Sequence, residues 1–330
     1  MDNSSSPRNS ARTMLALGDV YKGFISTESA LEETRSRVKS LELSSRAHTW
    51  KYTRRRIAKT LHACISGTVC SSPACMSCVR AYQERVYESL SQQFLTYESL
   101  YHVTLVHERY WVPVGNLVDW HPHTIRNTIR QHFRRCDLPH VRAVGSIEVE
   151  YRPDQAKWVP HSHIVVSGAS RPELNRLRKY YHGDTVSGSH RMVIQEVGQT
   201  DEDRARLFTY LFKSRTFVRD VLQCDSQDRR YRSRAYRPPA SIHNEHLLFL
   251  FRHSFENLLL TIGIGARGCL FKNGSRVSPK RTSPPPIQLP ELHQKPWSTY
   301  TPEYSEYEAS RADKGDVSTI MKRFDDYLAD

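Results

Sequence analysis

The amino-acid sequence predicts an α+β protein, on three observations. Residues 143–151 and 158–166 are two runs rich in β-branched residues, joined by Arg152-Pro153-Asp154-Gln155-Ala156-Lys157, and together they read as a hairpin. Leu100–Val106 and Met192–Val197 read as two more strands. Between and beyond the strands lie stretches of helical period, including one that sets Val79, Tyr82, Val86 and Leu90 along a single face.

The elements follow in order. Residues 1–50 form a polar segment with a marginal helix through Leu31, Val38 and Leu41, for which Ser26 or Thr27 is the N-cap. Residues 51–95 hold a basic patch and a cysteine cluster, followed by the helix of Val79 to Leu90. Within the patch, Arg54, Arg55 and Arg56 suit either a solvated helix face or phosphate contact. Residues 96–275 carry the strands, a helix over Trp120–Arg135, one opening at Arg171, one from Asp201 to Lys213 and an apolar helix over Leu247–Leu260. The acidic residues Asp201, Glu202 and Asp203 suit the first turn of their helix. Residues 276–330 open on Ser283-Pro284-Pro285-Pro286 and read as a linker and an acidic, disordered tail with a short helix near Ile320–Leu328.

The chain has 330 residues, a formal net charge of +13 and a mean hydropathy of −0.61. No apolar run reaches the roughly 18–20 residues of a membrane span, and the polar start Met1-Asp2-Asn3-Ser4 is unlike a signal peptide. The expectation is a cytoplasmic protein with no membrane partner. The charge suits a polyanion, most simply nucleic acid. Residues 225–237 interleave Arg229, Arg230, Arg232, Arg234 and Arg237 with Tyr231 and Tyr236, a pattern suited to single strands or to a solvated loop. Gly263, Gly265 and Gly268 lack the strand-turn-helix setting of a dinucleotide loop.

The chemistry concentrates on four features. His161 and His163 are two residues apart on one strand and so project from the same face. The hairpin would lay Glu148 or Glu150 beside them, and a carboxylate with two imidazoles suits Mg²⁺ or Mn²⁺ with room for a phosphate oxygen. The other His-x-His, His121-Pro122-His123, falls at a helix start and shares no strand face. Cys64, Cys70, Cys75 and Cys78 include the C-x₂-C spacing of zinc half-sites and can supply four thiolates for a structural Zn²⁺, with His62 as a spare ligand. Cys136, Cys224 and Cys269 are isolated, as ordinary buried thiols are. Tyr210 and Lys213, at helical i, i+3 spacing, share a face as a phenol and an ammonium.

Taken together, Val103-Thr104-Leu105, Gly145-Ser146-Ile147-Glu148-Val149, Pro160-His161-Ser162-His163 and Tyr210-Leu211-Phe212-Lys213, preceded by the cysteine cluster, resemble the rolling-circle replication initiators of small plasmids and phages. These belong to the His-hydrophobic-His (HUH) endonucleases, and the likeness is to the type with one catalytic tyrosine. It covers about residues 60–215. Two features depart from the family pattern: Ser162 stands where the family has an apolar side chain, and the cysteine cluster lacks the family's usual Arg and Cys-Pro.

The resemblance implies an antiparallel sheet of about five strands with helices packed on it, ferredoxin-like or RRM-like, plus an N-terminal zinc segment. It implies that His161, His163 and Glu148 bind the catalytic Mg²⁺ or Mn²⁺, with Glu150 the alternative. Tyr210 would attack a phosphodiester of single-stranded or supercoiled origin DNA, leaving a 5′-phosphotyrosine and a free 3′-OH, and Lys213 would assist. Tyr180 and Tyr181 are the competing tyrosines. With no nucleotide-triphosphate loop in the sequence, such a protein would work with a host helicase and DNA polymerase in a prokaryotic cytoplasm. A transposase or mobilisation relaxase would share this chemistry. A non-catalytic zinc-containing DNA-binding regulator is the rival of another class.

Overall fold

The computed structural model describes residues 25–43, 50–94, 99–138, 140–183, 190–198, 200–212, 218, 221–224, 229–232 and 236–264. All of them belong to one unit, Met1–Gly274. The second unit, Ser275–Asp330, with the expected linker and acidic tail, lies outside the described residues.

Among the described residues three helices come first: α1 (Thr27–Leu43), α2 (Lys51–Ile65) and α3 (Met76–Phe94). There follow β1 (Tyr101–Val106), a two-residue β2 (Val112–Pro113), α4 (His123–Arg135), β3 (Arg142–Arg152), β4 (Lys157–Ser167), α5 (Arg171–Asn175) and β5 (Met192–Glu196). Then come α6 (Asp201–Tyr210), β6 (Val221–Cys224), β7 (Arg229–Arg232), α7 (Ala240–Arg252), α8 (Phe255–Leu258) and β8 (Leu259–Ile262). Among the described residues the main sheet has six strands, in the order β5-β1-β4-β3-β8 with β2 also beside β4, and every pairing is antiparallel. Strands β6 and β7 form a separate two-stranded antiparallel sheet.

The long hairpin β3–β4 is the centre of the sheet. Its turn is a short 3₁₀ segment, Pro153–Gln155, followed by Ala156 in the left-handed region at φ 49°. Apolar residues alternate along the strands, so each face of the sheet buries its own cluster. On one face Val103, Leu105, Ile147 and Ile164 pack with Ile125, Ile129 and Phe133 of α4. On the other, Val144 and Val165 join Val79, Tyr82 and Val86 of α3, Phe208 of α6 and Phe249 of α7. The rings of Tyr82 and Phe255 stack at 4.1 Å.

Four expectations are corrected. The apolar run Leu247–Leu260 is not one helix: α7 ends at Arg252, Ser254 caps α8, and Leu259–Ile262 join the sheet against Ala143–Ser146. Such a run suits a buried strand as well as a helix. The closing turn uses Gly263 at φ 66°, where a Cβ would lie 2.2 Å from the Val141 carbonyl oxygen. The Asp201 helix stops at Tyr210, because Gln83 Nε2 donates to the carbonyls of Thr209 (3.0 Å) and Phe212 (3.1 Å). It thereby satisfies acceptors that a helix end leaves open. The N-terminal helix is not marginal, since it buries Ala30, Val38, Leu41 and Arg37. The Trp120–Arg135 helix begins later, at His123 behind Pro122, after a 3₁₀ turn at Leu117–Asp119.

Buried polar groups tie α7 to the sheet. Glu245 accepts hydrogen bonds from Gly115 N (2.7 Å), Leu117 N (2.8 Å) and Trp158 Nε1 (3.1 Å). Burial pushes its carboxyl up, and the three donors pull it back. Glu245→Ala leaves these donors without an acceptor, and each buried orphan costs about 1–3 kcal/mol. Denaturant unfolding of that variant is expected to show a loss of about 3 kcal/mol or more, with Glu245→Gln in between.

Burial, reinforced by Arg37 and Arg237, lowers the pKa of His243 to about 3, and burial lowers that of His253 to about 4. An unfolded histidine titrates near about 6.5. As pH falls, the unfolded chain therefore takes up these protons first. The stability is complete above about 6.5 and is lost as pH drops towards 4, at up to about 1.4 kcal/mol per pH unit for each group. Melting curves between pH 7 and 4.5 should show this fall, and His253→Asn should make it shallower.

Candidate metal centres

The first centre follows from the register of the hairpin. Glu148 of β3 lies directly opposite His161 of β4, and Ser146 lies opposite His163. Cross-strand partners share a face, so the carboxylate and both imidazoles converge. Glu148 Oε2 is 3.3 Å from His161 Nε2 and 3.9 Å from His163 Nε2. One ligand atom from each of the three residues lies within 4.8 Å of the other two, so the group could hold a metal ion. The other candidate carboxylate, Glu150, sits opposite Val159 and pairs with Arg152 at 3.4 Å.

The surroundings orient the three ligands. Ser146 Oγ donates to Glu148 Oε1 at 3.2 Å, which leaves Oε2 facing the histidines. His163 Nδ1 is 3.2 Å from Thr104 Oγ1 and 3.2 Å from His102 Nε2, so its Nε2 is the nitrogen left towards Glu148. A second partner on the far ring nitrogen is how metal-binding histidines are held in one orientation. Among the described residues His161 Nδ1 is buried without a hydrogen-bond partner. At Gly145 a Cβ would stand 2.3 Å from the His163 carbonyl oxygen, so the close approach of β3 to β4 beside the site requires glycine.

Tyr210 is the last residue of α6, and its ring meets the same cluster. The ring centroid is 4.9 Å from that of His163 at 80°, and 5.8 Å from that of His102 at 76°. Tyr180 and Tyr181 lie on the other side of the sheet. Tyr180 stacks on His132 at 4.0 Å, and the Tyr181 hydroxyl is 3.0 Å from His132 Nδ1. Burial raises the Tyr181 phenol well above its ordinary range. Lys213, the expected partner of Tyr210, lies outside the described residues. Sequence reasoning overlooked His102. The signal was there: it precedes Thr104 by two on β1 and so points to the same face.

The second centre is built from sulfur. Cys64 comes from the end of α2, Cys70 and Cys75 from the connecting loop and Cys78 from α3. The sulfurs of Cys64 and Cys78, and of Cys70 and Cys78, are 3.5 Å apart; those of Cys75 and Cys64 are 3.6 Å apart. Zinc–sulfur bonds of about 2.3 Å at tetrahedral angles place sulfurs about 3.8 Å apart. The quartet could thus hold one such cation, zinc being the example its chemistry favours. Hydrogen bonding within the quartet, from Cys64 first, holds the Cys75 thiol far down and pushes those of Cys70 and Cys78 far up. His62 is not part of the group, and Cys136 is an isolated buried thiol.

The remaining expected residues scatter. Arg55 and Arg56 are exposed on α2, whereas Arg54 is turned inward. Arg230 and Arg232 belong to β7 rather than to a loop, their side chains are not described, and Arg234 lies outside the described residues. His121 packs on His253, and His123 bonds Asn127. Among the described residues no helix is long and apolar enough to cross a membrane. No protein-family model matches the chain, and no curated protein or solved structure matches it.

Purified protein is expected to carry about one tightly bound zinc per chain by metal analysis. Cys75→Ser should lose it and melt at a lower temperature, as should the parent protein after exhaustive chelation. Freely titrating thiols in a folded, zinc-free protein would contradict the assignment.

Proposed function

We propose that the chain is a metal-dependent DNA nicking and joining enzyme that initiates rolling-circle replication. The observation that carries this reading is the packing of the Tyr210 ring against His163, one of three convergent metal-ligand candidates. The order of motifs along the sequence supports the same reading.

In this reading Glu148, His161 and His163 hold one Mg²⁺ or Mn²⁺, which would supply positive charge to the phosphodiester oxygens. Thr104 and His102 keep His163 in its binding orientation. The Tyr210 hydroxyl attacks phosphorus: its Oη–P bond forms as the P–O3′ bond breaks. The phenolic proton passes to solvent, and the departing oxygen takes up a proton to become the 3′-OH. One ester replaces another, so the step runs in both directions and the enzyme can rejoin what it cuts. Lys213, three residues on, would offset charge on the phosphate. The freed 3′-OH would serve a host DNA polymerase, with a host helicase opening the duplex. A transposase or relaxase would run the same step at a different DNA site.

Single-stranded or supercoiled DNA incubated with the protein and Mn²⁺ should be nicked, with EDTA stopping the reaction. A covalent protein–DNA adduct should form at Tyr210. His161→Ala and His163→Ala should each lower nicking by about 10²–10³-fold or more, the lower bound being what removal of one catalytic electrostatic element costs. Tyr210→Phe should abolish the adduct while keeping the fold. An adduct formed by Tyr210→Phe, or label on the Tyr180–Tyr181 peptide, would overturn the choice of nucleophile.

A further inference from the structure

The face of the sheet away from Glu148, His161 and His163 is covered by basic segments. Helix α4 reads His-Thr-Ile-Arg-Asn-Thr-Ile-Arg-Gln-His-Phe-Arg-Arg and contains no acidic residue. Its apolar positions Ile125, Ile129 and Phe133 are buried, on the side of the sheet opposite Glu148, His161 and His163. Arg126, Arg130 and Arg134 recur at i, i+4 and i+8 and form a row with steps of about 6 Å along the axis. Two of them are fixed: Arg126 donates to the Glu256 carbonyl at 2.9 Å and Arg130 to the Thr261 carbonyl at 3.2 Å.

The neighbouring segment extends the charge. α5 and the 3₁₀ turn after it bury Leu174 and Leu177 in the same cluster as α4 and leave Arg171, Arg176 and Lys179 exposed. The two segments touch where Tyr180 stacks on His132. Residues 123–137 and 171–182 together hold eight Arg and Lys against two acidic residues, in a chain whose total net charge is +13. The one ion pair described between those cations and these acids is Arg176–Glu173 at 3.6 Å, on the surface.

We infer that this α4–α5 face grips the phosphate backbone of duplex DNA, on the side of the sheet away from the nicking site. The nicking reading supplies only the identity of the polyanion. A membrane surface is disfavoured because the apolar side of α4 is already buried, and none of the exposed large hydrophobic residues described (Leu43, Tyr52, Val69 and Trp111) belongs to this face. Base stacking on single strands is disfavoured because Tyr180 has His132 stacked on its ring at 4.0 Å and the Lys179 ammonium 5.0 Å from its centroid. What the face offers is guanidinium and ammonium groups on fixed elements, which suits sequence-independent phosphate contact.

The test measures binding of the full chain to a labelled 20-base-pair duplex of arbitrary sequence across a salt series, beside nicking of a short single-stranded oligonucleotide. The variant carries Arg134→Gln, Arg135→Gln, Arg176→Gln and Lys179→Gln, all at exposed positions. Its duplex affinity should fall more than tenfold, and the slope of log affinity against log salt should shrink by about 3 to 4. Oligonucleotide nicking should be unchanged. Arg55→Gln with Arg56→Gln, on α2, should keep duplex binding. If the fourfold variant melts early, Arg134→Gln with Arg135→Gln alone should shrink the slope by about 2. Undiminished duplex binding by the fourfold variant overturns the inference, as does loss in the α2 variant instead, or binding of anionic vesicles in preference to duplex. If no oligonucleotide is nicked by any form and the fourfold variant still loses the duplex, the nicking reading fails and this face stands.

Discussion

The register of one hairpin controls the candidate chemistry. Glu148 and His161 face each other because β3 and β4 pair with Tyr151 opposite Trp158 and Gly145 opposite Ile164. A slip of β4 by one residue would send the histidines to the opposite face, among Ile147 and Leu105, and would carry Ser162 and Ile164 to the metal side. The register is therefore held at several points. Trp158 is fully buried and bonded to Glu245, Gly145 permits contact that any Cβ would block, and the turn at Ala156 closes in the left-handed region. Ser162, on the back of β4, is held by His107 Nε2 at 3.2 Å, while His107 N donates to the Pro160 carbonyl at 2.9 Å. Both sides of His161 are thus pinned from behind, and a polar Ser162 between the histidines has a partner of its own.

Local periodicity made much of this legible. The 161/163 pair, the two hairpin strands, β1, β5 and the buried face of α3 are all read from spacings of two or of 3.6, and such spacings are properties of neighbouring residues. What escaped depends on partners far along the chain. The end of α6 is set by Gln83, 126 residues before Thr209. The fate of Leu259–Ile262 is decided by an open edge of β3 that no pattern within the run announces. The choice of Glu148 over Glu150 needs the register itself, since alternation puts both on the same face. His102 obeys the same period-2 rule, but its meeting with His163 depends on the pairing of β1 with β4, which spacing within β1 does not announce.

The two centres also differ in how their charge is balanced. As ligands, one carboxylate and two imidazoles would supply a single negative charge, so a divalent cation would leave the site positive and receptive to a phosphate oxygen. Four thiolates around a divalent cation would instead be left with two negative charges in a half-buried setting. A guanidinium answers part of that deficit: Arg37 is almost wholly buried, donates to the Ala74 carbonyl at 2.9 Å and feels the charge of Cys75. Burial lowers the Arg37 pKa, and the neighbouring Glu33, at 3.1 Å, opposes that shift. The buried face of α1 thus meets the cysteine loop through Arg37, beside the apolar contacts of Ala30, Val38 and Leu41. The sulfur group joins α2 to the start of α3, and α3 also carries Gln83, whose side chain bonds the end of α6 at Tyr210. The phenol of Tyr210 therefore sits at a helix end held by Gln83, while the candidate ligands on β3 and β4 are placed by the sheet.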